Sequence, residues 1–223
     1  MDLYHPNSKV VIGWTPKCAC TVILKMFLDH CGLLETALNY DGWVHNYRER
    51  FLEPCPIDLN NILRIKFIRN PYSRAVSSYL TVCRFRKDFP MLKDIEHLSF
   101  ETFLEYLVSP DVQWDFHYIQ QFKKGEKYDE VIRIENIDHR MTEINLKYGL
   151  NLNWKFTSSH HILKHPNIDN GYQGNIDYYK NFDLIGSYKE FYNETNRKFV
   201  ETVYASDFLH YGYTYDDFLL ENI

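Results

Sequence analysis

Hydrophobic positions along the chain switch between two periods. Lys9-Val10-Val11-Ile12-Gly13-Trp14 is a short, nearly continuous apolar run, the pattern of a strand buried on both faces. Thr15 to Cys20 interrupts it. From Thr21 to Cys31 the apolar residues Val22, Ile23, Met26 and Phe27 fall on one face ahead of Gly32, which predicts a helix with a glycine stop. Leu63 to Ile68 alternates apolar and basic residues before Asn70-Pro71, a strand followed by a break, and Pro71 suits the first turn of a helix carrying Ala75, Val76 and Tyr79. Ser99 to Leu107 reads as a helix capped by Ser99, with Glu101 and Thr102 close behind. Tyr128 to Ile134 is a third strand, Asn136 to Tyr148 a helix ended by Gly149, and Tyr188 to Tyr204 a closing helix. Strands alternating with helices predict an α/β fold, a parallel sheet covered on both faces, with ligands beyond the carboxyl ends of the strands. No repeat, low-complexity segment or flexible linker divides the pattern, so a single domain over residues 1–223 is expected.

Composition narrows the function classes. With 223 residues and 45% hydrophobic content the chain can bury a core, which excludes a disordered or fibrous protein. No apolar run approaches a membrane span, and the first residues lack the basic-then-apolar signature of a signal peptide. Five cysteines (Cys18, Cys20, Cys31, Cys55, Cys83) are too sparse for a disulfide framework, so a reducing, cytoplasmic address is expected. A net charge of −5 argues against a nucleic-acid binder and no membrane partner is expected. Between Arg64 and Lys93, however, eight basic residues face one acid, Asp88. A basic stretch inside an acidic chain points to a local anion site, against the plainer alternative of a solvated helix face.

Two strand–loop–helix segments carry the chemistry. In the first, a lysine-bearing loop joins a buried strand to a helix start, where unpaired N–H groups and the helix dipole stabilise an anion. Lys17 adds a charge, Thr21 a hydroxyl, and Ala19 is small enough for close backbone approach. It is not a Walker A loop, because Gly13 is not followed by a second glycine ahead of Lys17. Cys18-Ala19-Cys20 has neither zinc-ligand nor Cys-x-x-Cys spacing, no arginine follows either cysteine at phosphatase spacing, and no metal is expected. In the second segment, Arg69 ends a strand and Ser77 lies two turns into the following helix, a guanidinium clamp and a hydroxyl for an anion. Singly, each has a plain structural explanation; together they suggest a ligand with two separated charged groups.

These residues resemble the sulfotransferases. Thr15-Pro16-Lys17-Cys18-Ala19-Cys20-Thr21 is similar to that family's 5′-phosphosulfate loop, and Arg69-Asn70-Pro71-x-x-Arg74-x-x-Ser77 to its 3′-phosphate motif, in the form closest to the carbohydrate sulfotransferases. The tail Tyr204-Ala205-Ser206-Asp207-Phe208-x-x-Tyr211-Gly212-Tyr213 resembles the family's ending, whereas Asn70 stands where Asp is commoner, and no anchor or stem like those of Golgi relatives is expected. The resemblance implies a P-loop-like three-layer fold, a central parallel sheet flanked by helices. It also implies 3′-phosphoadenosine 5′-phosphosulfate (PAPS) as donor, no metal, and a hydroxyl-bearing acceptor, a saccharide. By the same resemblance Lys17 faces the bridging oxygen; Cys18, Ala19, Cys20 and Thr21 hold the 5′-phosphate; Arg69 and Ser77 grip the 3′-phosphate; Ser159 and Lys164 belong to a later loop over the adenosine. His45 is the first choice of base and His117 the second, since imidazole accepts protons near neutrality. Asp41 is a further alternative. His161 and His165 have a metal-like spacing that Pro166 and Gly171 argue against as a helix face. Arg84-Phe85-Arg86-Lys87 is either an acceptor-attracting patch or a solvated helix end. Two other classes compete: a non-catalytic nucleotide-binding module, which would bind donor without transfer, and a P-loop kinase, which would hydrolyse ATP with magnesium.

Overall fold

The computed structural model describes residues 1–56, 61–157, 171–179 and 185–219. By its contacts the chain divides into two compact units, one of residues 1–69 and 125–159, the other of residues 70–124 and 160–223.

The first unit is a mixed α/β assembly. Its strands β1 (Asp2–Leu3), β2 (Val10–Gly13), β3 (Leu63–Ile68) and β4 (Glu130–Arg133) form a sheet in the order β1-β2-β3-β4. The β2–β3 and β3–β4 pairs are parallel, with Ile12 opposite Ile65 and Phe67 opposite Ile132. The two-residue β1, not foreseen from sequence, pairs antiparallel with β2, so the sheet is mixed where a parallel one is expected. Helices α1 (Cys20–His30), α2 (Leu34–Asp41), α3 (Val44–Phe51) and α6 (Ile137–Tyr148) flank it. One core joins Val10, Ile12, Ile65, Phe67 and Ile132 of the sheet to Ile23, Met26 and Phe27 of α1 and to Met141 and Ile144 of α6. Burying each such side chain contributes about 1.5–3 kcal/mol. Gly13 has a local reason: a Cβ there would lie 2.4 Å from the Tyr128 ring, which crosses the strand end and donates its hydroxyl to Asp2 Oδ1 at 2.6 Å. A side chain at residue 13 would have to displace that ring.

Helices α2 and α3 lacked a sequence signal because α2 buries only Ala37 and α3 only Val44 and Tyr47, too few for a clear period. Asp41 organises the turn between them. Its Oδ1 accepts the Trp43 N–H at 2.8 Å and its Oδ2 the Asn46 amide at 2.5 Å.

The second unit holds α4 (Pro71–Arg84), α5 (Phe100–Val108), α7 (Glu194–Val203), α8 (Ala205–Tyr211) and α9 (Asp216–Leu219) around an aromatic-rich core that includes Tyr79, Phe100, Phe103, Phe191 and Tyr204. Asn70 caps α4 by accepting the Tyr72 N–H at 2.9 Å, with Pro71 at the first helical position. Ser99 caps α5 on the Thr102 N–H at 3.1 Å. The expected closing helix over Tyr188–Tyr204 is corrected. Ser187 and Glu190 form a capping box on a 3-10 turn at Tyr188–Phe191, and Asn193 caps a new helix by accepting the Asn196 N–H at 2.8 Å. Two cap signals inside one apolar period split it. Among the described residues, no helix is long and apolar enough to cross a membrane.

Beneath α4, Arg74 and Asp207 are both fully buried. Asp207 accepts from the Gln121 N–H at 3.0 Å and the Phe122 N–H at 2.7 Å, while the Arg74 guanidinium lies 5.6 Å from the Tyr204 ring centre. Burial pushes the Asp207 carboxyl above its ordinary range, against the opposing pull of Arg74 and these N–H donors.

Candidate functional site

The loop between β2 and α1 reaches its shape without glycine. Lys17 (φ 72°) and Ala19 (φ 55°, ψ 32°) are both left-handed, on either side of Cys18. Left-handed L-residues cost roughly 1–2 kcal/mol each, and such strain collects where a ligand is held. Successive N–H groups in alternating hands turn toward a common centre and make an anion nest. Ala19 is the N-cap of α1 and no side chain caps this end, so the positive end of the helix adds to the nest. Cys18 is buried, its N–H bonded to Thr15 O at 3.2 Å, and it serves the loop's backbone.

Parallel pairing of β2 and β3 brings the second segment to the same edge. Arg69, half-buried at the carboxyl end of β3, donates from Nη1 to the Lys17 carbonyl at 3.1 Å. The clamp residue therefore fixes the backbone of the strained lysine. A charge-assisted bond of this kind contributes about 1.5–3 kcal/mol.

The imidazole of His45, on α3, lies beside α1: its Nε2 is 3.2 Å from the Thr21 hydroxyl. Trp43 and Trp14 flank it, ring centres 5.0 and 6.0 Å away, and the Arg48 guanidinium lies 5.0 Å over Trp14. Lys17, Cys18, Ala19, Cys20, Thr21, His45 and Arg69 thus gather within the first unit. Trp14, Trp43 and Arg48 join this group and were missed from sequence, since single aromatic residues carry no spacing signal. Asp41, the alternative base, spends both carboxylate oxygens on the α2–α3 turn.

Ser77 and His117 belong to the second unit. Ser77 is half-buried on α4, where its carbonyl accepts the Thr81 hydroxyl. The neighbouring Ser78 is fully buried and donates to the carbonyls of Arg74 and His117. Asp115 Oδ1 lies 2.7 Å from His117 Nδ1. A carboxylate can only accept, which assigns the hydrogen to Nδ1 and the lone pair of the neutral ring to Nε2. Of the basic run, Arg86 is buried in an ion pair with Asp177 at 3.0 Å, leaving Arg84 and Lys87 exposed. Ser159, Lys164, His161 and His165 lie outside the described residues. Among the described residues, no cluster of three or more His, Cys, Asp or Glu could hold a metal ion.

The sulfotransferase family model matches residues 3–214, nearly the whole chain. The chain belongs to the sulfotransferase family. That membership makes it a transferase for sulfo groups with a hydroxyl-bearing acceptor, and sulfotransferases generally take PAPS as donor. No curated protein and no solved structure matches the chain.

Proposed function

We propose that the protein transfers the sulfo group of PAPS to a hydroxyl of a carbohydrate. The observation that carries this reading is the glycine-free, twice left-handed loop at Lys17–Ala19, tied through its lysine carbonyl to Arg69. A nest, a helix start and a lysine fit the phosphosulfate end of such a donor, and an arginine on the adjoining strand end fits its 3′-phosphate. When bound, the donor supplies the sulfo group and a nucleotide leaving group.

In this reading the N–H groups of Ala19 and Cys20 and the Thr21 hydroxyl hold the 5′-phosphate, while Cys18, its N–H turned to Thr15 O, shapes the loop around it. Lys17 stabilises the charge that grows on the leaving oxygen, an interaction strongest in the transition state. Arg69 and Ser77 are proposed for the 3′-phosphate, and Ser159 and Lys164 for the adenosine side, all by resemblance of motif. His45 takes the proton from the acceptor hydroxyl; in the free protein its Nε2 lies 3.2 Å from the Thr21 hydroxyl, and once that hydroxyl turns its hydrogen to the phosphate Nε2 is left to accept. His117, oriented by Asp115, is the second choice. No metal is assigned a role. All five cysteines are free thiols, which supports a cytoplasmic address.

The test is calorimetric binding of 3′-phosphoadenosine 5′-phosphate (PAP), followed by a donor-dependent screen of sugars, phenols and peptides read by mass spectrometry. Tight PAP binding, lost in Arg69→Ala, with an added sulfo group on a sugar is expected. Equal affinity for adenosine 5′-phosphate, which lacks the 3′ group, would refute the donor; PAP binding without transfer to any acceptor would leave a binding module.

A further inference from the structure

Trp14 directly follows β2 and packs with Val10 and Ile12 in the core shared with α1 and α3. It is 4% exposed, yet among the described residues its indole N–H has no hydrogen-bond partner. Indole nitrogen can only donate, so what is missing is an acceptor. Buried donors are nearly always satisfied, and an exception calls for a reason. The surroundings specify the acceptor's charge. The Arg48 guanidinium, itself paired with Glu49 at 2.6 Å, lies 5.0 Å over the ring, and His45, 6.0 Å away, reaches toward Thr21 in the first turn of α1. Lys17 and the positive end of α1 follow within the same loop. A neutral acceptor would gain little here; an anionic oxygen would gain most.

We infer that the Trp14 indole N–H is a further ligand-binding group, donating to an anionic phosphate or sulfo oxygen of the bound donor. This rests on the proposed donor site and deepens it. Loop and indole act as one: the nest offers backbone N–H groups, and the tryptophan preceding it offers a side-chain N–H whose cost in the free protein is recovered on binding.

The experiment replaces Trp14 with 3-benzothienylalanine, in which sulfur stands for the N–H in a ring of the same size, and also tests Trp14→Phe. Affinity for PAP and for inorganic pyrophosphate is measured by calorimetry, and the ligand-free midpoint by thermal unfolding. The isostere should bind PAP about tenfold more weakly, a loss of about 1.4 kcal/mol, with an unchanged or raised ligand-free midpoint. Trp14→Phe should show at least the same loss of affinity. Unchanged PAP affinity in the isostere would overturn this inference alone, as would a lowered ligand-free midpoint, which would mean that the N–H has an internal partner. A wild-type protein that binds pyrophosphate but not PAP would remove the proposed donor, with pyrophosphate still reporting on Trp14 by the same comparison. Wild-type binding of neither ligand would overturn both readings.

Discussion

Arg74 lies in the middle of the second anion motif but is fully buried, and the charge it answers is the equally buried Asp207. Arg74→Ala removes a full positive charge that acts on the Asp207 carboxylate. Leaving a buried carboxylate without the charge that balances it costs up to about 3–5 kcal/mol, the range for a pair in direct contact. For a chain of this size each kcal/mol lowers the melting midpoint by about 2–4 °C, so a fall of up to about 20 °C is expected. The pH dependence carries a sign. The folded-state pKa of Asp207 is raised above its ordinary value, so its contribution favours the fold below that ordinary value and is lost as pH rises through the folded one. Without Arg74 the folded pKa climbs further, and the carboxyl takes a proton to escape the penalty. The deficit of Arg74→Ala should therefore be greatest above the folded-state pKa of Asp207 and shrink as pH falls through it. Thermal and urea unfolding across that range measure it, and Arg74→Met combined with Asp207→Asn should recover much of the loss. A deficit below about 1 kcal/mol, or one independent of pH, would refute the coupling.

Other outcomes follow from the same geometry. Ala19→Val puts a branched side chain into a left-handed position (φ 55°), which should cost at least about 1 kcal/mol and weaken PAP binding; a stable variant with unchanged affinity would show that the loop's hand is irrelevant. Glu130 behaves oppositely to Asp207: burial raises its carboxyl, but Lys147, Tyr148 and Arg140 outweigh that and hold it below the ordinary value. Its stabilisation is present above the ordinary pKa and is lost as pH falls through the lowered folded one, so the stability gap between wild type and Glu130→Gln should be full at neutrality and close in acid. Lys17→Ala should depress kcat far more than PAP affinity, and equal kcat in steady-state assays would remove its transition-state role.

The elements written in hydrophobic period were legible. Strands β2, β3 and β4 and helices α1, α4, α5 and α6 lie within a residue or two of their expected places along most of their lengths, and Pro71 and Gly149 mark a start and a stop as expected. What failed to show has physical causes. Helix α3, which carries His45, buries only two residues and depends on Asp41 to set its entry, a contact invisible to periodicity. The left-handed turns at Lys17 and Ala19 belong to residues that rarely adopt them, so no composition signal exists. The grouping of Lys17 with Arg69 followed from strand order, because parallel neighbours end at the same edge. The indole of Trp14 looked like core, and only its unanswered N–H sets it apart.

Strand β4 aligns Glu130 with Ile65 of β3, so the sheet closes across a long stretch of intervening chain. During synthesis, the ribosome must deliver all of α4 and α5 before that edge can zip. Until then β3 presents an open side, and the loop-closure entropy must be met before any pairing returns it. Slow emergence of the nascent segment would extend the time during which that edge can recruit a neighbouring chain. A holdase acting at this stage should raise the yield of folded protein more than one added after release.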